Sequence, residues 1–195
     1  METDRNQIFE QEVEAAVKAL REHKIILYPT DTIWGIGCDA TNATAVDRIY
    51  ALKKRPDAKS MIILVADERD ILQYVAAPDP AVFDFIEETT KPTTIIFDGA
   101  IGLPENLVSQ DGSVAIRITK DPFCRHVIRR LRRPLVSTSA NISGQPSPLI
   151  FNDISEDIKR GVDHMVAWRQ EETKPALPSQ IIKWNRGSAP TIIRP

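Results

Sequence analysis

The chain changes from helix to strand across the stretch Lys53-Lys54-Arg55-Pro56-Asp57-Ala58-Lys59. Apolar residues at helical spacing lead into it, and the run Met61-Ile62-Ile63-Leu64-Val65 that follows is typical of a buried strand. Pro56 keeps the residue before it out of the helical conformation, so we expect the helix to stop there and Arg55 to turn off its axis. The stretch holds four cations, and at ~5–6 Å two like charges repel by about 3 kcal/mol at an effective dielectric near 20.

This basic stretch has two interpretations. In the first, Lys53 leaves from a helix end and Lys59 from a strand start, so that two point charges and the planar fork of Arg55 surround a triphosphate. In the second, the stretch is a solvated basic turn that complements the negative end of the helix dipole. Short basic runs are weak motifs, and the stretch alone does not decide between the two.

The bulk composition indicates an ordinary globular protein. The chain has 195 residues, of which 42% are hydrophobic and 27% charged, and its net charge is −2. This length suits one domain, residues 1–195, and any site for polyphosphate or nucleic acid must be a local concentration of cations. Cys38 and Cys124 form no CxxC pair, so we expect two reduced thiols in or near the core and neither a disulfide framework nor a zinc site. A signal peptide and a membrane-spanning run are absent, which predicts a cytoplasmic protein.

Strands and helices intermingle along the chain without strict βαβ alternation. We therefore expect an α/β fold on an open, twisted mixed sheet flanked by helices. Gly35 and Gly37, in one predicted strand, leave room for another backbone or a ligand to approach. Gly161 is expected to end a helix over 153–160 in the left-handed conformation. The predicted strands cover 24–28, 33–38, 61–65, 93–97, 113–118, 135–139, 162–166, 180–184 and 191–193, and the other predicted helices cover 8–20, 41–53, 67–75, 80–86 and 121–131.

Several predicted strands end in residues that carry hydroxyl groups, and one of these strands is followed by a side-chain amide. These groups belong to Thr30, Thr32, Ser113, Ser137, Thr138, Ser139 and Asn141. Ligands of open α/β sheets bind at strand ends, so these groups are expected to converge on one pocket that suits an amino acid or a nucleotide. Arg117 interrupts an apolar strand pattern and needs an anion, which is either a substrate carboxylate or a structural Asp or Glu.

Other catalytic classes lack their motifs. The chain contains no GxSxG, Walker A or GxGxxG sequence, and we expect His23, His126 and His164 to be structural. A helix after Asp121 carries five arginines, Arg125, Arg129, Arg130, Arg132 and Arg133. We interpret them as a solvated face, with contact to RNA or a partner protein as the alternative.

Four motifs together resemble those of the YrdC/Sua5 family, in the family's order. They are Tyr28-Pro-Thr-Asp-Thr32-Ile-Trp-Gly35, Lys53-x-Arg55-Pro-x-x-Lys59, Ser113-Val-Ala-Ile-Arg117 and Ser137-Thr-Ser139-Ala-Asn141-Ile-Ser-Gly144. The resemblance covers about residues 8–194. It implies the family's open, twisted α/β sheet around a positively charged cavity, and no C-terminal Sua5 domain.

The resemblance also implies an activity, that of an L-threonylcarbamoyladenylate synthase. Such an enzyme uses ATP, L-threonine and bicarbonate or CO2, releases pyrophosphate, and serves the threonylcarbamoyladenosine (t6A) modification of tRNA. Magnesium is expected with ATP, but no metal ligand in the protein is assigned. The expected partners are the t6A transferase machinery and tRNA or double-stranded RNA, and the expected state is a monomer or homodimer.

Site residues follow from the resemblance by motif. Lys53, Arg55 and Lys59 would be the catalytic cations, on the phosphates or the carbamate. The residues implied for ATP are Lys53, Arg55, Ser113, Ser139, Asn141, Ser147 and Arg194. Those implied for threonine are Thr32, Lys59, Arg117, Ser137 and Ser179, with Arg117 on its carboxylate.

The chain departs from the family pattern at several places. Ser60-Met61 replaces a common Pro-Leu, Thr90-Lys91-Pro92-Thr93-Thr94 replaces Trp-Pro-Gly-Pro-x-Thr, Trp168-Arg169-Gln170-Glu171 replaces an Asp-Gly-Gly run, and Ser179-Gln180 replaces Ser-Thr. Some of these changes lie beside an implied threonine contact. A YciO-like paralogue that binds nucleotide or RNA without this activity is therefore the alternative.

Overall fold

The computed structural model describes residues 2–55 and 61–195. Helices and strands alternate irregularly along this part of the chain. The helices are α1 (Glu2–Arg21), α2 (Ala43–Lys53), α3 (Ala81–Glu88), α4 (Pro122–Leu131) and α5 (Glu156–Gly161). The strands are β1 (Ile26–Tyr28), β2 (Gly35–Gly37), β3 (Ile62–Val65), β4 (Thr93–Phe97), β5 (Val114–Ile118), β6 (Leu135–Ser139), β7 (His164–Met165), β8 (Gln180–Lys183) and β9 (Thr191–Arg194).

All nine of these strands join one mixed sheet in the order β7-β1-β2-β6-β3-β5-β4-β8-β9. Strand β6 is antiparallel to both of its neighbours, β2 and β3, and so connects the two halves of the sheet. Parallel pairs join β3 to β5, β4 to β8 and β1 to β7. The α/β class and the mixed sheet predicted from the sequence are confirmed.

Side-chain alternation divides the buried residues between the two faces of the sheet. Within β3, Ile63 belongs to the larger core, which packs against α2, whereas Leu64 belongs to the second core, formed mainly with α1 and α4. Ile62 lies on the same face as Leu64 because side chains repeat every second residue along a strand. This second face also carries the cavity described below, beyond the area that α1 and α4 cover.

Gly35 and Gly37 leave space for the ring of Tyr28, which is fully buried. A Cβ on Gly37 would lie 2.1 Å from the backbone oxygen of Val136 and 2.7 Å from the Tyr28 ring. The Tyr28 hydroxyl donates to that same carbonyl at 2.9 Å. The space that the two glycines leave therefore admits the neighbouring backbone and the Tyr28 ring.

Several helix ends differ from the sequence rules. Lys54 ends α2 and Arg132 ends α4, both in the left-handed conformation that usually favours glycine. The left-handed conformation expected of Gly161 is not observed, because this residue is the last of α5 and remains helical. A Cβ at Gly161 would lie 2.1 Å from the Leu52 side chain. The helix expected over 153–160 is interrupted, because a 3₁₀ turn at Phe151–Asp153 precedes α5.

Side-chain caps begin two of the helices, and the prediction of two unpaired thiols in or near the core is confirmed. The side chains of Asn42 and Asp121 accept the amides of Ala45 and Cys124 at the starts of α2 and α4. Cys38 and Cys124 are buried and unpaired. The helix expected over 67–75 is a 3₁₀ helix at Glu68–Gln73. Among the described residues, none of the helices is both long and apolar enough to cross a bilayer.

The glycine packing predicts a difference between two substitutions. Gly37→Ala should lower the free energy of unfolding by about 3 kcal/mol or more, since the new methyl group meets a backbone carbonyl that can move only with β6. Gly161→Ala should change it by no more than about 1 kcal/mol, because the Leu52 side chain can rotate away and alanine favours the helix. Urea unfolding of both variants measures this difference, and equal effects would contradict the packing described.

Candidate functional site

A cavity of about 280 Å³ lies on the sheet face that also carries Leu64 and Ile62. Its walls come from the turn after β1, the ends of β2 and β6, the middle of β5, and the segments before β8 and along β9. Eight residues implied by the sequence resemblance line it: Thr32, Arg55, Arg117, Ser137, Ser139, Ser147, Ser179 and Arg194. Hydroxyls from distant parts of the chain therefore converge, as the strand-end pattern predicts.

Arg117 lies at the floor of this cavity and is only 4% exposed. Its Nη2 is 3.1 Å from Asp31 Oδ1, an ion-pair distance whose alignment is not that of a hydrogen bond. Its Nη1 donates to Thr32 Oγ1 at 2.9 Å, and its buried Nε has no hydrogen-bond partner in the described part of the chain. Arg117 therefore has a structural carboxylate as its partner and also lines the cavity, so a substrate carboxylate could reach it as well.

The hydroxyls of Thr30 and Thr32 continue the network from Arg117. Thr30 donates its hydroxyl proton to the Ile33 carbonyl at 2.8 Å, and its oxygen accepts from the Thr32 amide at 2.9 Å. The 3.0 Å contact between the two hydroxyls is then donated by Thr32, since Thr30 has used its proton. Thr32 therefore has a fixed orientation, and each bond polarises the next.

Arg194 and Ser179 form the opposite wall. The Arg194 Nε and Nη2 both donate to the Ser179 carbonyl, at 3.0 and 2.7 Å. The Ser179 hydroxyl is 2.8 Å from that of Thr94 on β4. Partial burial and then the positive charge of Arg117 lower the pKa of Arg194. The two guanidiniums are therefore close enough to repel one another, as expected of a site that binds anions.

Arg55 supplies a third guanidinium to the cavity lining. Burial lowers the pKa of this residue. It directly follows Lys54, the left-handed residue that ends α2, and its amide donates to the Tyr50 carbonyl. The chain therefore turns off the helix axis at Arg55, as predicted from Pro56.

Lys53 has a different environment from the one expected of a phosphate ligand. It is 1% exposed, and its ammonium donates to the backbone carbonyls of Ser139 and Asn141, the latter at 2.6 Å. Its own carbonyl accepts from the Ser143 amide at 2.8 Å. Burial, and then the charge of Arg55, lower the pKa of Lys53 to about 7. Lys53 is not among the residues that line the cavity; it attaches α2 to the turn after β6.

Three other implied residues are not seen at the cavity wall. Ser113 lies on the same strand face as Arg117, but its hydroxyl donates to Asp111 at 2.6 Å. The Asn141 amide donates to the carbonyls of Ile142 and Gln145 within its own turn. Lys59 falls outside the described residues. The roles implied for these three stay predictions.

Sequence reasoning gave no role to Asp31, Thr94 or Asp111. Asp31 lies inside the first motif, beside Thr32, and its position next to an implied threonine contact was the signal available. The antiparallel register of β4 and β5 puts Thr94 opposite Arg117 and therefore on the cavity side. This register was not available from the sequence. Asp111 precedes Ser113 by two residues, the spacing at which a side chain captures a nearby hydroxyl and amide.

The five arginines of α4 and its end are mostly matched by carboxylates. Arg125 and Arg129 both lie 3.0 Å from Asp67 Oδ1, and Arg133 Nη1 lies 2.7 Å from the buried Asp39. Arg130 pairs with Glu10 on α1. These pairs support the interpretation as an exposed face. Because Arg125 and Arg129 share Asp67, three carboxylates face five arginines, and the face keeps part of its positive charge.

The three histidines lie away from the cavity lining. None of His23, His126 and His164 lines it, and His23 contacts Asn42 at 2.6 Å. Within residues 2–55 and 61–195, no group of three or more His, Cys, Asp or Glu side chains is arranged to hold a metal ion. A separate cavity of about 60 Å³ under α3 is apolar and too small for a nucleotide.

Residues 18–195 match the profile of the Sua5/YciO/YrdC family, whose description reads "Telomere recombination". The chain belongs to this family. It is 31% identical over 157 residues to a protein of Pseudoalteromonas translucida named threonylcarbamoyl-AMP synthase, covering 79% of this chain and 84% of that one. A relative of the same name in Escherichia coli K12 is 34% identical over 146 residues, or 72% of this chain and 76% of that protein.

Solved structures of the family show the same fold. The H234A/Y235A variant of P. abyssi Sua5 matches with a TM-score of 0.85 and 26% identity, over 94% of this chain and 56% of that one. The chain thus spans about half the length of that Sua5. E. coli YciO matches with a TM-score of 0.80 and 21% identity, over 97% of this chain and 89% of YciO.

The Lys53 environment of this family member predicts a pH dependence of stability. The unfolded chain binds more protons than the folded one between pH about 7 and the usual lysine pKa of 10.5, so stability should rise with pH in that window. Relative to Lys53→Met, the wild-type free energy of unfolding should rise by up to about 1.4 kcal/mol per pH unit. Urea unfolding from pH 6 to 10 measures the slope.

Lys54→Met is the matched control, because Lys54 is the exposed neighbour of Lys53. Its difference from wild type should stay flat across the same pH range. A flat difference for Lys53→Met as well would show that the ammonium of Lys53 is solvated and not buried against the turn after β6.

Proposed function

We propose that the protein is an L-threonylcarbamoyladenylate synthase that uses ATP, L-threonine and bicarbonate or CO2 and releases pyrophosphate for t6A modification of tRNA. The observation that carries the proposal is the lining of the cavity, in which Arg55, Arg117 and Arg194 stand among convergent hydroxyls. The relatives named threonylcarbamoyl-AMP synthase support the same activity. We place it in the cytoplasm with the t6A machinery as its partner.

The proposed reaction needs charge neutralisation and alignment more than a protein nucleophile. The threonine amine takes up CO2 and loses a proton, which gives a carbamate. A carbamate oxygen then attacks the α-phosphorus of ATP; a new O–P bond forms and the bond to the departing pyrophosphate breaks. The carbamate and ATP are both anionic, so the guanidiniums lower the barrier by balancing charge and holding the reactants in line.

Arg117 and its neighbours form the proposed threonine end of the cavity. In our proposal Arg117 binds the threonine carboxylate, while Thr32, Ser137 and Ser179 bind its polar groups. A bound carboxylate would share Arg117 with Asp31, and a guanidinium has enough donors for two acceptors. Thr32 suits this place because its orientation is already fixed by Thr30.

Arg55 and Arg194 define the proposed nucleotide end. We assign Arg55 to the phosphates and Arg194, with Ser139 and Ser147, to the rest of ATP. Lys59 stays in the proposal as a sequence-based phosphate contact. For Lys53 we propose an indirect role, in which its two carbonyl contacts set the turn that carries Ser139.

Magnesium would accompany ATP, yet the described residues that line the cavity include no carboxylate. Mg²⁺ usually takes its ligands from one or two carboxylates, phosphates and water. The described residues therefore do not fit a protein-held magnesium ion, and the steps above do not depend on one.

The proposal predicts pyrophosphate release that requires threonine. Incubation with ATP, bicarbonate and labelled threonine should give a threonylcarbamoyl adenylate, detected by mass spectrometry together with equimolar pyrophosphate. Arg55→Lys should lower kcat/KM for ATP by about tenfold to a hundredfold, because an ammonium cannot reproduce the bidentate fork. The melting temperature of the variant, measured alongside, separates the loss of this contact from a loss of folded protein.

Arg129→Gln is the control for this experiment. Arg129 is 51% exposed on the outer face, and Asp67 keeps Arg125 as a partner. Activity of this variant should equal that of wild type. ATP hydrolysis without a threonine requirement, or no turnover although threonine binds, would favour the YciO-like paralogue over the proposed synthase.

A further inference from the structure

Arg169 lies behind the turn that carries Thr30, Asp31 and Thr32, outside the cavity lining. It has a φ of 69°, a left-handed conformation that is uncommon for a residue with a side chain. Such a conformation persists when surrounding contacts determine it. Here the preceding Trp168 packs edge-on against Phe9 of α1, with ring centroids 5.2 Å apart, and the Ala167 amide donates to Glu12 at 2.7 Å.

The guanidinium of Arg169 contacts the turn and its support at once. Its Nη1 donates to Asp121 Oδ2 at 2.7 Å and to the Thr30 carbonyl at 3.3 Å. Its Nε lies 2.8 Å from Glu172 on the exposed side. One guanidinium nitrogen therefore joins the turn after β1 to the start of α4.

Asp121 makes this contact costly to lose. The carboxylate is 4% exposed and caps α4 by accepting from the Cys124 amide. Burial raises the pKa of Asp121, and the negative charge of Asp31 raises it further. Asp31 in turn accepts from the Lys120 amide at 3.1 Å and pairs with Arg117. The charged groups thus follow one another in the order Arg169, Asp121, Asp31 and Arg117, and Arg117 lies at the cavity floor.

We infer that Arg169 is a positioning residue that holds the Thr30–Thr32 turn, and through it Thr32 and Arg117, in the geometry that receives the amino-acid substrate. The inference rests on the proposed function for the identity of that substrate. Arg169 touches neither cavity nor ligand, so its effect passes through the Thr30 carbonyl and the Asp121 carboxylate. ATP, at the other end of the cavity, should not depend on it.

The first test compares Arg169→Gln with Glu172→Gln. Arg169→Gln should weaken threonine binding by about tenfold to a hundredfold, as small misplacements of a site do, and should leave ATP binding within about twofold of wild type. Glu172→Gln, which touches only the exposed side of the guanidinium, should change neither. Isothermal titration with each substrate measures these affinities, and equal loss of both would overturn the inference.

A second readout needs no ligand. The Thr32 amide is held by Thr30 Oγ1, so in Arg169→Gln its native-state hydrogen exchange should accelerate at least about tenfold more than that of the amides of Ile63 and Ile116 in the central strands. Unchanged exchange at Thr32 would overturn the inference. If wild type binds no threonine, the proposed function fails, and this comparison still judges the role of Arg169.

The double variant Arg169→Gln/Asp121→Asn covers the case in which the single variant unfolds. Asparagine keeps the helix cap and removes the unpaired buried charge, so the melting temperature should recover. Threonine affinity and Thr32 exchange should stay impaired, because the Thr30 carbonyl still lacks its donor. Recovery of all three would show that Arg169 only neutralises Asp121, and the inference would fall.

Discussion

The buried charge of Arg117 is the constraint on which the site depends. Arg117 lies in β5, whereas its partner Asp31 follows β1, and β2, β6 and β3 separate those two strands in the sheet. Four strand spacings of ~4.8 Å would put β1 and β5 about 19 Å apart in a flat sheet. The turn after β1 must therefore reach back across the face of the sheet to meet Arg117. The cavity is the space enclosed between that turn and the strands beneath it.

Local sequence signals predicted most of the elements but not their order. A short apolar run bounded by polar residues is enough to predict a strand such as Ile62–Val65. The insertion of β6 between β2 and β3 depends on Gly37 admitting the Val136 carbonyl, a contact between residues far apart in sequence. The helix ends at residues 53 and 131 were predicted correctly, but the left-handed conformations of Lys54 and Arg132 were not, because tertiary contacts stabilise them against the intrinsic preference of these residues.

The candidate site was predictable as a set of hydroxyls and less so as a set of charges. Strand alternation puts Ser137 and Ser139 on one face of β6, and the registers of β6 with β3 and of β3 with β5 put Arg117 on the same face. The direction of a long side chain is different, because it depends on what lies within its reach. Lys53 has the sequence context of a phosphate ligand, yet two backbone carbonyls of the turn after β6 capture its ammonium. Ser113 is on the predicted face, and Asp111 takes its hydroxyl.

The chain treats its arginines in two ways, and the difference explains why a protein of net charge −2 can offer an anion site. On the outer face, Asp67, Glu10 and Asp39 pair directly with four of the five arginines of α4 and its end. At the cavity, Arg194 is held by a backbone carbonyl, a dipole that orients a guanidinium without cancelling its charge. A carboxylate there would repel an incoming anion and would have to be displaced from its partner. Asp31 is compatible with an anion site because it lies behind Arg117, outside the cavity lining. Arg117 pairs with Asp31 and Arg169 pairs with the neighbouring Asp121, so the two arginines balance both carboxylates.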